Sequence, residues 1–312
     1  MKRTVRAAVL TAITGLTMTV LGAPADATPG PAVHAAADTP AKAKAVAGRW
    51  TAEAMRSAIP LDKLLQAPTG VFKDVAKGLG TVIPRSVPNG GGAWTGGGKV
   101  TKTAGRVFFT FNGRKASCSG DAVTSANASV VVTAGHCVKY QGTWHTDWVF
   151  VPGYDNGNAP YGQWTAKKTL TTPQWEASED MNYDVGMAVV NPLDGKRLTD
   201  VVGAQGIAFN QARNQTMYTF GYPAAAPYDG TKLIYCSGPT ITDFLLTQDH
   251  GMSCNMTGGS SGGPWFLNFD EATGTGVQAS VNSFGYTFLP NTMFGPYFGA
   301  DAQTLYGKAQ AA

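Results

Sequence analysis

A serine in a glycine-rich turn and a histidine far upstream of it are the residues of this chain best suited to chemistry. Ser261 lies in residues 259–264 (Gly-Ser-Ser-Gly-Gly-Pro), and His136 lies in residues 133–137 (Thr-Ala-Gly-His-Cys). A serine hydroxyl becomes a nucleophile when a nearby base accepts its proton. Glycines leave backbone N–H groups free to bind an oxyanion. The two motifs therefore predict acyl-transfer chemistry, with the N–H groups of Gly259 and Ser261 as oxyanion donors.

Each motif also has a purely structural explanation. The serine run could be a flexible loop, but Cys254 precedes it and the strand-like residues 264–267 follow it, which disfavours a plain linker. A single histidine at the end of a strand is more often structural than catalytic. The three other histidines lie in the leader or in polar, turn-like surroundings, so His136 is the best candidate for a general base.

A third group must orient the histidine and stabilise its charged form. Asp184 opens the apolar run of residues 184–190 (Asp-Val-Gly-Met-Ala-Val-Val). A carboxylate at the entry to such a strand is either a turn residue or a buried acid with a partner. The presence of His136 and Ser261 in the same chain favours the buried acid.

The elements that must hold these residues are short β-strands. From residue 99 onward, apolar runs alternate with Gly, Pro, Asn and Asp, and turn signals recur about every 8–15 residues. From that point on, no long apolar segment with helical periodicity appears before residues 300–311, where a helix is expected. The pattern predicts an all-β chain, barrel or sandwich, and its length makes two small barrels more natural than one. The predicted strands include residues 106–111, 128–133, 148–151, 185–190, 216–220, 232–235 and 277–283.

The N-terminal third has a different composition. Residues 1–27 combine a basic start, an apolar stretch and a small-residue exit, which predicts a secretory signal rather than a membrane anchor. Residues 28–49 are predicted to be disordered and residues 50–66 to form a short helix, ahead of a flexible glycine-rich linker near residues 89–98. We interpret residues 28–98 as a pro-region with its linker; the alternative is a secreted arm that is never removed.

The charge distribution excludes one class of partner. Residues 1–90 hold 11 Lys and Arg against 5 Asp and Glu, whereas residues 91–312 hold 13 against 15, so their net charges are +6 and −2. The basicity lies in the leader, and the main body offers no electrostatic surface for nucleic acid. No apolar run after the N-terminus is long enough to span a membrane. An extracellular monomer without nucleic-acid or membrane partners is expected.

The four cysteines predict two disulfides, because an exported chain meets an oxidising compartment. Four cysteines allow three pairings. The sequential pairing closes two short loops, each worth about 3 kcal/mol in the chain-entropy description. A zinc site is disfavoured because no two cysteines lie two to four residues apart, and no metal or cofactor is expected. The cysteines are Cys118, Cys137, Cys236 and Cys254.

In their order along the chain, the motifs around His136, Asp184 and Ser261 resemble those of the chymotrypsin-like serine proteases, and most of all the secreted bacterial branch related to glutamyl endopeptidases. The similarity spans roughly residues 100–300 and includes a cysteine pair, Cys118 and Cys137, that flanks the histidine strand. It implies two six-stranded antiparallel β-barrels with the active site between them. His136 would be the base, Asp184 its orienter and Ser261 the nucleophile that forms an acyl-enzyme.

The same resemblance implies a division of the chain and a substrate pocket. Residues 99–198 would form the N-terminal barrel with His136 and Asp184, and residues 199–312 the C-terminal barrel with Ser261 and a short terminal helix. Asn255 would lie near the base of the primary pocket, and residues 282–285 would form its wall, with Ser283 also reaching Asp184. The four predicted wall residues are Asn282, Ser283, Phe284 and Gly285.

Two positions depart from the family pattern. Digestive members carry an aspartate before the nucleophile that pairs with a newly cut N-terminus; here that residue is Ser260. An ion-pair activation switch is therefore not expected, and we hypothesise that the pro-region acts by covering the cleft. Asn255 offers no counter-charge to Lys or Arg, and Asn282 stands where glutamyl endopeptidases have a histidine, so the residue preference stays open. Both asparagines could instead hydrogen-bond within their loops.

The sequence predicts a secreted serine endopeptidase that acts on protein or peptide substrates. The alternative is a binding protein on a protease-like scaffold that has lost turnover, although scaffold-only relatives usually lack one member of the His, Asp, Ser and glycine set. An esterase of another fold is disfavoured because the histidine motif precedes the serine and the alternating helices of that fold are missing.

Overall fold

A computed structural model describes residues 29–64 and 89–312 of the chain. The predicted signal, residues 1–27, lies outside the described residues, as does the stretch 65–88 of the predicted pro-region. No helix in the described ranges is long and apolar enough to cross a membrane.

The described chain is mostly β-structure, as predicted. Its strands are β1 (Ala32–Ala35), β2 (Ile59–Pro60), β3 (Asn89–Ala93), β4 (Ala104–Phe111), β5 (Arg114–Ala122), β6 (Val130–Thr133), β7 (Lys139–Tyr140), β8 (Thr143–Trp144), β9 (Thr146–Pro152), β10 (Trp164–Thr171), β11 (Gly186–Val190), β12 (Gly206–Ile207), β13 (Thr216–Gly221), β14 (Ile234–Pro239), β15 (Ile241–Thr242), β16 (His250–Ser253), β17 (Pro264–Asp270), β18 (Thr275–Val281) and β19 (Thr292–Gly295). The helices are α1 (Pro40–Arg49), α2 (Ala52–Ser57), α3 (Leu61–Leu64), α4 (Val100–Thr103), α5 (Pro173–Ser178), α6 (Leu198–Val202) and α7 (Ala300–Gln310).

Six strands close into the N-terminal barrel in the order β10-β11-β6-β5-β4-β9, because β9 pairs back onto β10. The β4–β5 hairpin turns at Asn112-Gly113, where both residues have positive φ, the conformation that a two-residue hairpin turn requires. Every side chain of β6 and of β11 is buried, so both strands lie inside the core rather than at its surface. The predicted base follows β6 and the predicted acid precedes β11, so both residues adjoin fully buried strands.

The second half of the chain forms two sheets. A six-stranded sheet has the order β12-β18-β17-β13-β14-β3, and a three-stranded sheet has the order β15-β16-β19. Strand β17 starts directly after the serine loop and pairs with both β13 and β18. The serine loop is thereby fixed at the entry to a central strand.

The predicted C-terminal helix is present and packs across the chain. Helix α7 buries Ala302, Leu305 and Ala309, which lie on one face of the helix, in the core of the N-terminal barrel. The C-terminal helix thus packs against the N-terminal barrel.

Two disulfides join the cysteines in sequential pairs. Cys118 of β5 is bonded to Cys137, just after β6, and Cys236 of β14 is bonded to Cys254, just after β16. The first disulfide fixes the residue that follows His136.

The N-terminal segment is more ordered than its composition predicted. Residues 29–49 hold β1 and α1 instead of a disordered stretch, because Thr39 caps α1 ahead of Pro40 and β1 pairs with β10. The single helix predicted for residues 50–66 is divided into α2 and α3 by the short strand β2. The predicted flexible linker begins with β3, which pairs with β14.

Candidate active site

His136 lies in a short 3-10 turn, Gly135–Cys137, that directly follows β6. The disulfide of Cys137 holds this turn against β5. His145 Nε2 lies 2.8 Å from the His136 carbonyl oxygen, and burial lowers the pKa of His145 to about 3, so its neutral ring donates to that carbonyl. The backbone of His136 is therefore held from two sides.

Asp184 is completely buried between the turn Met181–Tyr183 and β11. Its Oδ1 accepts a 2.8 Å hydrogen bond from the His136 backbone N–H, and its Oδ2 lies 2.7 Å from His136 Nδ1. The Ser283 hydroxyl donates to the same Oδ2 at 2.5 Å. Three donors compensate the buried carboxylate, and the bond to Nδ1 fixes the imidazole ring and leaves Nε2 on its opposite side.

The surroundings of His136 favour its charged form. Burial by itself lowers the pKa of the imidazole, but the carboxylates of Asp184, Asp62 and Glu179 outweigh it and raise the pKa above its ordinary value. Asp184 contributes most of this effect because it is also hydrogen-bonded to the ring.

The Ser261 loop is anchored from behind by the first barrel. Ser119 donates its backbone N–H to the Ser261 carbonyl at 2.7 Å and its hydroxyl to the Gly259 carbonyl at 2.9 Å. Gly262 has a φ of +81°, and a Cβ there would lie only 2.1 Å from Thr133 Oγ1, so no other residue fits. The glycines let the loop sit directly against the strand that leads to His136.

The structure brings the three predicted catalytic residues to one place, with a fourth residue between them. His136 and Asp184 are in direct contact, whereas the Ser261 hydroxyl donates to Asp62 Oδ1 at 3.4 Å. The same Oδ1 lies 4.0 Å from His136 Nε2, and Gly259 N–H donates to Asp62 Oδ2 at 3.2 Å. Sequence reasoning missed Asp62 because no local pattern distinguishes this carboxylate from any other on a short helix.

The two asparagines predicted to bind substrate occupy different surroundings. Asn282 is completely buried, and its amide bonds Thr219, Trp265 and the carbonyls of Phe220 and Ser260. These bonds use the whole amide within the protein, which agrees with the loop-bonding alternative rather than with a pocket wall.

Asn255 is half-buried and lies under β3. Its backbone N–H donates to the Gly90 carbonyl at 2.8 Å, and its Oδ1 accepts a 2.5 Å bond from the Tyr228 hydroxyl. No charged side chain takes part in these contacts. Its surroundings are therefore polar and uncharged.

The remaining predicted pocket residues lie together near β19. The Phe284 ring stacks on Phe294 with ring centres 5.2 Å apart, and a Cβ on Gly285 would lie 3.0 Å from the Thr292 carbonyl oxygen.

Ser260, which replaces the usual aspartate, is buried and donates its hydroxyl to the Thr257 carbonyl within its own loop.

One group of metal-ligating residues occurs within the described ranges. Cys118, His136 and Cys137 bring their donor atoms within 4.8 Å of one another. Both cysteines belong to the same disulfide and have no thiolate to offer, so the three residues do not form a ligand set.

A buried carboxyl beneath the site predicts a pH-dependent stability. Asp249 is 1% exposed; burial raises its pKa to about 8, and the charges of Asp184 and Asp243 add to this effect. In the unfolded chain an aspartate titrates near pH 4. Between about pH 4 and 8 the folded protein thus holds a proton that the unfolded chain has lost, so stability falls as the pH rises.

Asp249→Asn removes this titration, and we expect the variant to be more stable than its parent by about 2–5 kcal/mol at pH 8, and about equally stable near pH 4. Urea unfolding measures the difference, in a Ser261→Ala background that lacks the predicted nucleophile and so guards against self-cleavage. Asp194→Asn, at an exposed turn, is the control. A difference between Asp249→Asn and its parent that stays constant from pH 4 to 9 would contradict the assignment.

Comparisons with solved structures identify the fold. Protease Anisep from Arthrobacter nicotinovorans is 47% identical to this chain with a TM-score of 0.65, and the match covers 68% of this chain and 96% of Anisep. The thermostable serine protease AL20, from an extremophilic microorganism, is 44% identical with a TM-score of 0.65, and the match covers 69% and 99% of the two chains. A Glu endopeptidase, only 16% identical, shares the fold with a TM-score of 0.56 over 74% of this chain and all of that structure.

A curated relative is more distant. The extracellular metalloprotease of Bacillus subtilis (strain 168) is 27% identical over 173 residues, which are 53% of this chain and span only 50% of that relative's length. No family model matches the chain.

The fold, together with the likeness to two solved proteases, defines the class of this protein as serine endopeptidase, as predicted. The chain belongs to the chymotrypsin-like serine proteases. The predicted family and fold class are confirmed, and the roles of the individual site residues stay predictions.

Proposed function

We propose that this chain is a secreted endopeptidase that cleaves peptide bonds in proteins through an acyl-enzyme, with Ser261 as nucleophile, His136 as base and Asp184 as orienting acid. The observation that carries the proposal is the 2.7 Å contact of His136 Nδ1 with the buried Asp184 carboxylate. It leaves Nε2 as the one ring nitrogen that is free to accept a proton from the serine.

Acylation follows from this arrangement. His136 Nε2 takes the proton of the Ser261 hydroxyl while Oγ bonds to the scissile carbonyl carbon, and the carbonyl electrons move onto oxygen. The N–H groups of Gly259 and Ser261 stabilise this oxyanion. As the tetrahedral intermediate collapses, the C–N bond breaks and His136 returns its proton to the departing amine.

Deacylation repeats the same steps with water. His136 takes a proton from water, the hydroxide oxygen attacks the acyl carbon, and Ser261 leaves with the proton that His136 gives back. The products are a free carboxylate and the regenerated enzyme. Ser283 supports both halves because its hydroxyl holds the Asp184 oxygen that faces the imidazole.

Asn282 acts in this proposal as a positioning residue rather than a substrate contact. Its amide forms hydrogen bonds with the Ser260 carbonyl, Thr219 and Trp265, and these bonds fix the position of the serine loop. Asn255, Phe284 and Gly285 are proposed to line the primary pocket, which carries no counter-charge at Asn255. The protein is proposed to act outside the cell as a monomer, without nucleic-acid or membrane partners.

A fluorophosphonate, which phosphonylates activated serines, tests the proposal. The full chain is labelled before and after limited proteolysis by a metal-dependent protease, which has no nucleophilic serine and is stopped with a chelator. We expect labelling after proteolysis, none in Ser261→Ala, and cleavage of a peptide library by the labelled form. If no form of the chain is labelled, the alternative of an inactive binding protein is supported.

A further inference from the structure

The N-terminal segment delivers a carboxylate into the proposed active site. Asp62, in the first turn of α3, places Oδ1 within 3.4 Å of Ser261 Oγ and 4.0 Å of His136 Nε2. Its Oδ2 accepts a 3.2 Å hydrogen bond from Gly259 N–H. One side chain therefore contacts the proposed nucleophile, the proposed base and one oxyanion donor.

These contacts oppose catalysis at the serine. The Ser261 hydroxyl donates to Asp62 instead of to His136, whose Nε2 has no hydrogen-bond partner among the described residues. The proton transfer that activates the serine needs that missing hydrogen bond. The pKa of His136 is also held above its ordinary value, in part by Asp62, which favours the protonated ring that cannot act as a base.

Asp62 also occupies the place of the substrate oxygen. Gly259 N–H, which would stabilise the oxyanion of a bound substrate, is already bonded to a carboxylate oxygen. An ionised carboxylate resists nucleophilic attack because its charge is shared by both oxygens. The Asp62 carboxylate therefore imitates the acid product of peptide hydrolysis and offers no bond to cleave.

The strand before Asp62 fixes the carboxylate in place. Ile59 and Pro60 form β2, which pairs in parallel with Ala116 and Ser117 of β5. Leu61 is completely buried in the core of the N-terminal barrel. The fit against the serine loop is close, because a Cβ on Gly258 would lie 2.8 Å from Asp62 Oδ2.

Helices α1 and α2 anchor the same segment at a second place. Trp50 is 1% exposed and donates its indole N–H to the Asp147 carbonyl at 2.6 Å. Ala54, Met55 and Ala58 pack with it against the outer face of β4 and β9 in a separate apolar cluster. The segment is thus held on the barrel by a separate apolar cluster, and Asp62 extends from the segment toward the serine loop.

We propose that residues 59–64 form a built-in inhibitor of the protease site, with Asp62 as the blocking residue, so that the chain stays latent until this segment leaves the cleft. This inference rests on the proposed function, because the groups that Asp62 contacts are those assigned to catalysis. The Asp62 side chain is 41% exposed, so the block is formed at the mouth of the site.

The test compares fluorophosphonate labelling of intact full-length chains, scored at early times on the uncut band. We expect Asp62→Ala and Asp62→Asn to be labelled about 10- to 100-fold faster than the parent, in the range that loss of a charge-assisted hydrogen bond produces. Glu53→Gln, an exposed carboxylate on α2, is the matched control and should keep the parent's rate. The parent cut by the metal-dependent protease gives the fully released rate.

The possible outcomes separate this inference from the proposed function. If the cut parent is labelled quickly but intact Asp62→Ala and Asp62→Asn remain as slow as the intact parent, Asp62 is not the block and the protease assignment stands. Rapid labelling of the intact parent would overturn latency. If no variant is labelled, intact or cut, both proposals fail. Thermal unfolding of each variant shows whether a change in its labelling rate results from misfolding.

Discussion

Replacing Ser261 by alanine is expected to lower kcat for peptide hydrolysis by about 10⁶-fold, the size of loss found when the nucleophile of a serine triad is removed. Alanine removes the hydroxyl oxygen proposed to form the acyl bond, and the neighbouring Ser260 hydroxyl is bonded to the Thr257 carbonyl. It leaves intact the backbone bond from Ser119 to the residue 261 carbonyl, so the loop keeps its position. The measurement is steady-state hydrolysis by the released form of a peptide chosen from the library.

The control for this variant is Ser178→Ala, an exposed serine at the end of α5. Ser178→Ala also replaces a serine hydroxyl by hydrogen, and this variant should retain full activity. Substrate binding should survive in Ser261→Ala, because the proposed oxyanion donors and the proposed pocket are unchanged. Residual cleavage within about tenfold of the parent would assign the nucleophile to another residue.

Asp184→Asn is expected to lower kcat by about 10⁴-fold. Asparagine keeps the shape of the side chain but replaces one acceptor oxygen with an NH₂ donor, whereas Asp184 accepts from three donors. To avoid two donors facing each other, the imidazole must move its proton from Nδ1 to Nε2. The ring then presents a donor to Ser261 and cannot take its proton.

Asp194→Asn, the exposed control used above, carries the same exchange and should leave kcat unchanged. Proton NMR of the imidazole N–H groups gives a second readout, because the signal of the Nδ1 proton bonded to Asp184 should be lost only in Asp184→Asn. A loss of activity with that signal intact would mean that Asp184 does not set the tautomer.

The site was predictable from sequence to the extent that its chemistry is local. A strand followed by His136, a glycine-rich turn around Ser261 and a carboxylate before β11 each have a short pattern with a physical reason. The contact of Asp62 with Ser261 joins residues 199 positions apart and depends on how β2 pairs with β5. No short sequence pattern predicts such a contact.

The N-terminal segment was mispredicted because its order comes from its partners. Alanine, lysine and proline suggested disorder in residues 29–49, yet pairing with β10 and packing of Trp50 on the barrel stabilise this stretch. In β3 the glycines suggested flexibility, but a Cβ on Gly91 would lie 1.7 Å from Asn255 Oδ1, so the strand can pair there only without side chains. Secondary-structure propensity alone predicts neither effect.

The position of α7 determines how the whole chain can fold. The helix lies in the core of the first barrel, and the Ala309 carbonyl accepts a hydrogen bond from Asn127, 182 residues earlier in the chain. The core of the N-terminal barrel therefore cannot be completed until the chain up to α7 has been synthesised. Such long-range contacts slow folding, and they couple the N-terminal barrel to the sheets that follow it in the chain. The proposed site, which joins His136 of this barrel to the later Ser261 loop, and any proteolytic activity with it, would then be assembled only late in folding.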